Sequence, residues 1–227
     1  MKLIRLKLKG PLQSWGEQAR WDIRDTSNMP AKSAIIGILG CCMGYPRGDR
    51  RLATLSEQIH IAVRADRAGR LMTDFHTVQG TDGVMLNAAG KPRGKSGTII
   101  TPKQYLQDAE FTVLLWGEEQ TLLDCEYALR HPVWPPFLGR RSCVPSVPLL
   151  PKILEVQSIE EAICMFDEEE YDTLVSVEIE MLPGEQARSN ERIIERRDEV
   201  LRADLNQYRC RRVRAFVIRK EGNHVSE

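Results

Sequence analysis

Polar and apolar positions alternate along residues 2–9, Lys-Leu-Ile-Arg-Leu-Lys-Leu-Lys, with Leu3, Ile4, Leu6 and Leu8 as the apolar set. That spacing predicts a half-buried strand, ended by Gly10-Pro11. Residues 11–31 are polar and irregular, with Trp15 and Trp21 as anchors. A helix is expected from Ser33, as its N-cap, through Ala34, Ile35, Ile36, Ile38 and Leu39 to about Met43, with Gly44 as its stop. A second short helix follows near 51–58, then an alternating strand over 59–65. Strand 109–116 (Ala-Glu-Phe-Thr-Val-Leu-Leu-Trp) precedes a helix over 119–130 with Leu122, Leu123, Tyr127 and Leu129 on or near one face. A short helix over 158–166 and strands over 173–181 and 211–219 complete the pattern.

Residues 73–104 break that rhythm. They are rich in Gly, Thr, Asn and Lys and offer little to bury. Insertions of this length inside a packed domain are commonly functional. They read as two weak strands around a mobile tip, a projecting hairpin with Lys91, Arg93, Lys95 and Lys103 in its second half. The element order predicts an α+β fold of ferredoxin-like type, an antiparallel sheet with helices on one face. Such a fold hosts many functions and decides none.

Composition narrows this only a little. The 227 residues, 42% hydrophobic and 28% charged, are those of an ordinary globular protein, and the whole of 1–227 reads as one domain. No stretch is apolar for long enough to span a membrane, and the alternating N-terminus is unlike a secretory signal. The six cysteines show no paired Cys-x-x-Cys spacing, so no metal is expected and they read as reduced, mostly buried thiols of a cytoplasmic protein. Lys+Arg and Asp+Glu balance at 32 each, which removes any global field for nucleic acid. The charges are unevenly spread. Glu160, Glu161, Asp167, Glu168, Glu169, Glu170 and Asp172 form an acidic run that reads as solvated surface, while Arg209, Arg211, Arg212, Arg214 and Arg219 make the C-terminal strand basic.

Residues 132–148, Pro-Val-Trp-Pro-Pro-Phe-Leu-Gly-Arg-Arg-Ser-Cys-Val-Pro-Ser-Val-Pro, carry the sharpest chemistry. Prolines stiffen the path, Gly139 permits a sharp turn, and Arg140 and Arg141 follow the aromatic Trp134 and Phe137. Guanidinium forks beside flat rings on a rigid loop suit phosphodiesters and unstacked bases. Lys32 and Ser33 open the first helix, where free N–H groups favour an anion. Of the histidines, His60 reads as structural, His131 as a helix end and His224 as part of a tail. His76, beside the hairpin, shows no paired base in the sequence.

Five ordered segments then carry a resemblance. They are Gln13-Ser14-Trp15-Gly16, Pro30-Ala31-Lys32-Ser33 with Gly37-Ile38-Leu39-Gly40, Asp74-Phe75-His76-Thr77, Tyr105 through Val113, and Leu138-Gly139-Arg140-Arg141-Ser142-Cys143. Their order and spacing resemble the CasD family, the type I-E Cascade subunit that holds the 5′ handle of the CRISPR guide RNA. The resemblance covers residues 3–148 well and the last third loosely, through Tyr208-Arg209-Cys210-Arg211-Arg212. It implies a ferredoxin-like, RRM-related body with a protruding β-hairpin thumb at about 76–104. It implies that Phe137, Arg140 and Arg141 line the handle pocket, that Gln13, Ser14, Trp15, Lys32 and Ser33 border it, and that Lys103 and Tyr105 sit at the thumb base. The partners implied are the guide RNA, the backbone and large subunits of Cascade and, through the complex, target DNA, with no cofactor. Some relatives in other CRISPR subtypes cut precursor guide RNA with a tyrosine, a lysine and a histidine. Tyr45, Lys103 and His76 are the residues here that an endoribonuclease would use, although Gln104 and Tyr105, not a histidine, follow Lys103. The expectation is therefore a non-catalytic grip, with the ribonuclease as runner-up.

Overall fold

The computed structural model describes residues 1–16, 23–80, 84–87, 89–91, 98–166 and 172–219. Trp21, Arg93, Lys95, the acidic residues 167–170 and His224 lie outside them. The strands are β1 (Lys2–Lys9), β2 (Leu12–Gln13), β3 (Ile59–Arg67), β4 (Arg70–Gln79), β5 (Thr98–Gln107), β6 (Glu110–Gly117), β7 (Lys152–Glu155), β8 (Leu174–Glu180), β9 (Arg192–Arg202) and β10 (Gln207–Arg219). The helices are α1 (Lys32–Cys42), α2 (Arg51–Gln58), α3 (Glu119–Arg130) and α4 (Ile159–Ile163). The large sheet runs β7-β1-β6-β3-β8-β10-β9, every neighbouring pair antiparallel. Its first four members follow the chain as strand, helices α1 and α2, strand, strand, helix α3, strand.

Alternation along the central strands decides what each face buries. Ile4, Leu6 and Leu8 of β1, Ile59, Ile61 and Val63 of β3, and Phe111, Val113 and Leu115 of β6 point to one side. There they meet Ile35, Ile36 and Leu39 of α1, Leu55 of α2, and Leu122, Cys125 and Leu129 of α3. Leu3, Ala62, Leu114 and Trp116 occupy the intervening positions and face the other way, against Ala162 and Ile163 of α4. This corrects the expectation of helices on one face, because α4 covers the second. It is also shorter than the stretch 158–166, and Ser158 caps it by accepting from the Glu161 N–H at 3.1 Å.

Three strands escape the sequence pattern: the two-residue β2, inside the stretch 11–31 expected to be irregular, and β7 and β9. In β9, Arg-Ile-Ile-Glu-Arg-Arg-Asp-Glu-Val-Leu-Arg, no period of two exists. Ion pairs fix it instead, two to β10 beside it and one across β10 to β8: Arg211 with Asp198 at 2.7 Å, Arg209 with Glu199 at 2.7 Å, and Arg196 with Glu178. Strand β7 is four residues and takes its register from β1. The C-terminal strand starts four residues earlier than residue 211, at Gln207. Three of its arginines face carboxylates, Arg214 with Glu160 and Glu191 being the third. The basic tail therefore presents less free charge than its composition suggests.

Strands β4 and β5 pair continuously from Arg70↔Gln107 to Gln79↔Thr98 and, with β2, form a separate three-stranded sheet. The pairing extends beyond both ends of the expected 76–104 segment. Leu71, Phe75 and Ile100 are exposed on it. Of the six cysteines, Cys42, Cys125 and Cys143 are buried, Cys41 is half-buried, and Cys164 and Cys210 are exposed; all are free thiols. Among the described residues no helix is long and apolar enough to cross a membrane, and no group of three or more His, Cys, Asp or Glu side chains could hold a metal ion.

Candidate nucleic-acid interface

The proline-framed loop is fastened to the turn after β1. Leu138 and Cys143 are fully buried in the main core and act as its plugs. Between them the chain closes on itself, the Leu138 N–H donating to Cys143 O at 2.8 Å and the Cys143 N–H to Arg140 O at 2.8 Å. The Ser14 N–H donates to Leu138 O at 3.1 Å. Gly139 has φ +89°, and a Cβ there would stand 1.7 Å from Ser14 O. Only glycine permits both that backbone angle and that approach.

Arg140 then reaches across to two other segments. Its Nη1 donates to Gln104 O at 2.9 Å on β5, and its Nη2 to Arg24 O at 2.9 Å and Asp25 O at 3.3 Å. The guanidinium carbon lies 4.6 Å from the centroid of the Tyr105 ring. The 24–27 strap is itself stitched in place. The Arg24 N–H donates to Pro102 O at 2.9 Å, the Gln104 N–H to Arg24 O at 2.7 Å, and the Trp15 N–H to the Thr26 hydroxyl at 2.8 Å. Loop, strap and β5 thus form one rigid unit with a guanidinium at its centre. Two of the five donors of Arg140, Nε–H and one on Nη1, are left over in this arrangement. Arg141 beside it is exposed and makes no ion pair with a described residue.

The remaining expected site residues divide. Gln13 is buried and its Nε2 donates to Ala109 O at 2.7 Å and Leu8 O at 3.3 Å. The Ser14 hydroxyl donates to Gln104 O at 3.2 Å. Trp15 is 1% exposed, packed edge-on against Phe111 at 6.3 Å. Tyr105 is buried beneath Arg140. These four shape the unit from beneath. Phe137 is half-buried at its rim. Lys103 is half-buried, its Nζ 3.1 Å from His76 Nδ1, while His76 Nε2 lies 2.8 Å from Asp74 Oδ2. His76 therefore has two partners: Asp74, two positions away on β4, and Lys103, which the linear sequence hides and the register Asp74↔Lys103 and His76↔Thr101 brings across.

Lys32 and Ser33 correct the expectation of a phosphate at the start of α1. The N-cap is Ala31, without a side-chain cap bond. The Lys32 N–H donates to Asp198 Oδ2 at 2.7 Å, so a carboxylate of the chain itself fills the anion position. The Lys32 side chain is fully buried, with its Nζ 2.7 Å from Glu180 Oε1 and 3.7 Å from Glu199 Oε1. Glu180 also touches His60 and Arg211. Burial pushes the Glu180 carboxyl up, but His60, Lys32 and Arg211 together hold it below its ordinary value. Lys32 serves the fold. Sequence reading places Arg24, Asp25 and Thr26 in a loop ahead of the first helix but misses their tie to Arg140 and that of Gln104, because the contribution of Arg24, Asp25 and Gln104 is a backbone carbonyl that any residue would supply. It missed Asp198 because its partner lies 166 positions away.

An antiparallel α+β body bearing a buttressed arginine loop is the class of protein these features define. The sequence pattern of the family described as CRISPR-associated protein (Cas_Cas5) matches residues 3–220, and the chain belongs to that family. It is 37% identical over 158 residues, 63% of this chain and 67% of the relative, to the CRISPR system Cascade subunit CasD of Escherichia coli (strain K12). Among solved structures it superposes on a chain of a "CRISPR RNA-guided surveillance complex" with TM-score 0.73 and 31% identity, covering 96% of this chain and 89% of that one. It superposes on a second, "Crystal structure of Cas protein", with TM-score 0.67 and 28% identity, covering 96% and 95%.

Proposed function

We propose that this protein is the guide-RNA-binding subunit of a type I-E Cascade surveillance complex, holding the 5′ handle and capping the subunit filament for interference with target DNA. The likeness to CasD and to a chain of an RNA-guided surveillance complex supports the assignment. The β7-β1-β6-β3 order, with helices between its first and second and its third and fourth chain-order members, supports a ferredoxin-like, RRM-related body over 1–227. The β4–β5 pair in its separate sheet fits the thumb, which would meet the adjacent backbone subunit. The observation that carries the grip is Arg140, which locks loop, strap and β5 while Arg141 and Phe137 stand at the surface. A preassembled cationic surface loses little entropy when RNA arrives.

The two arginines have different jobs. Replacing Arg141 with Ala removes a phosphate contact, so handle-RNA affinity falls and the salt slope drops by about 0.7. Replacing Arg140 with Lys keeps the charge but cannot bond three carbonyls from a planar fork, so the strap loosens and the affinity falls with the slope little changed. Anisotropy titrations of labelled handle RNA across salt concentrations measure both. Unchanged affinity and slope in the Arg141→Ala variant would refute the assignment.

The ribonuclease reading draws on the Asp74–His76–Lys103 chain. Both ring nitrogens of His76 are engaged, Nδ1 by the ammonium and Nε2 by the carboxylate. In this arrangement a 2′-hydroxyl would first have to displace the Lys103 ammonium from Nδ1 to reach a basic nitrogen. The protein is therefore expected to leave labelled precursor repeat RNA intact. Metal-independent cleavage lost in His76→Ala or Tyr45→Phe would reverse that conclusion.

A further inference from the structure

The connection between α1 and α2 carries charge that the loop site does not use. Arg47 and Arg50 are exposed. Arg47 makes no ion pair with a described residue, and Arg50 acts on Asp204 only through longer-range attraction. The connection folds back on the turn between β9 and β10, so that a Cβ on Gly48 would stand 3.6 Å from the Asp204 Cα. That contact brings in Arg202, which pairs with Asp204 at 2.7 Å. Arg51 pairs with Asp49 at 2.6 Å and stacks 3.9 Å over the Tyr45 ring. Its hydrogen bonds hold the Asp49 carboxyl below the usual range, and the bond to Arg202 brings Asp204 to about 2. Both carboxylates are ionised at neutral pH. Four guanidinium groups against two carboxylates still leave two positive charges in excess.

The patch adjoins the proline-framed loop. The Val133 N–H donates to Cys42 O at 2.8 Å, and Gly44 lies against the Val133 side chain. Cys41 Sγ stands 3.6 Å from Pro135 O, and the Arg141 charge reaches the same thiol, opposing the upward push of burial. Cys41 and Tyr45 bracket the C-terminal end of α1, which Pro135 of the Arg141 loop approaches, and the Arg51–Tyr45 stack with Arg47 and Arg50 follows in the connection beyond it.

We propose that this surface is one continuous track for single-stranded RNA, in which phosphates leaving Arg141 pass the Arg51–Tyr45 stack and meet Arg47, Arg50 and Arg202. The inference rests on the guide-RNA reading above and extends the binding surface beyond its loop. A guanidinium plane supported on an aromatic ring is a stacking platform for an unpaired base, which favours RNA over an acidic protein segment. The two free arginines supply the phosphate contacts.

The test uses purified protein and a single-stranded RNA of about twenty nucleotides beginning with the handle, longer than one binding module covers. Arg47→Ala with Arg50→Ala is expected to weaken binding about tenfold at low salt and to lower the salt slope by about 1.4, two single-strand phosphate contacts. Arg141→Ala is expected to lower the slope independently. All three side chains are exposed, so thermal melting should be unchanged. A slope reduced by Arg141→Ala but not by the double variant overturns the track and leaves the guide-RNA reading standing. A slope unchanged in both overturns the two together. An unchanged slope with lost incorporation into the assembled complex makes the patch a protein contact and overturns the track.

Discussion

Lys32 is buried more completely than any lysine tolerates without a partner, and it has carboxylates at 2.7 and 3.7 Å. Its removal takes the nearest cation from buried Glu180 and leaves it His60 at 3.0 Å and Arg211 at 3.7 Å. Lys32→Met should lower unfolding stability by about 3 kcal/mol, the lower end for a broken buried pair. Glu180→Gln combined with it should recover part of the loss, as read in urea titrations. The same carboxylate sets an acid limit. Its folded pKa is depressed, so its contribution is complete above the unfolded value of about 4.5 and disappears as pH falls through the lower folded one. The midpoint of urea unfolding should therefore fall below pH 4.5, less steeply in Glu180→Gln; an identical acid limb in both proteins would remove Glu180 from the account. Gly139 is the opposite kind of residue, important for what it lacks. Gly139→Ala places a methyl group against Ser14 O at positive φ, costing roughly 1–3 kcal/mol of strain. Melting temperature and handle-RNA affinity should fall together, whereas an unshifted protein with unaltered binding would contradict the proposed clasp.

At the scale of elements, the β4–β5 sheet is joined to the body through its base, at β2 and the strap. Its exposed Leu71, Phe75 and Ile100 contribute nothing to the main core. Replacing residues 80–97 by a two-residue Asn-Gly turn connects Gln79 to its register partner Thr98. The shortened protein should melt within a few degrees of the parent yet fail to enter the complex; loss of cooperative melting would make this segment part of the body. The strands of the core were readable because polar–apolar alternation marks β1 and β3, and a continuous apolar run marks β6, which is buried on both faces. Strand β9 was not, since its side chains are paired as charges with residues of β8 and β10 that the linear pattern cannot connect. Within the site, Gly139, Arg140 and Arg141 were legible as a turn bearing forks. The carbonyls that Arg140 binds were not, because a backbone oxygen has no sequence signature. Lys32 misled for a related reason: a lysine at a helix start looks the same whether its partner is a ligand or the protein's own Glu180.

For the whole molecule, charge balance conceals separation. Arginines of β9 and β10 are largely neutralised by carboxylates of neighbouring strands and loops. Free guanidinium groups remain at Arg141, Arg47 and around the end of α1. A neutral protein can thereby keep a local cationic surface while avoiding the non-specific nucleic-acid binding that a uniformly basic chain would show. On the proposed function, the body would supply rigidity, the proline-framed loop the grip, and the exposed Leu71, Phe75 and Ile100 of the β4–β5 sheet an apolar surface for a neighbour. Ultraviolet crosslinking of the assembled complex, followed by mass spectrometry of the attached peptides, tests the grip most directly. Handle nucleotides should crosslink within residues 134–141, chiefly at Phe137 and Trp134; crosslinks confined to β8–β10 or to α3, with none in that loop, would contradict it.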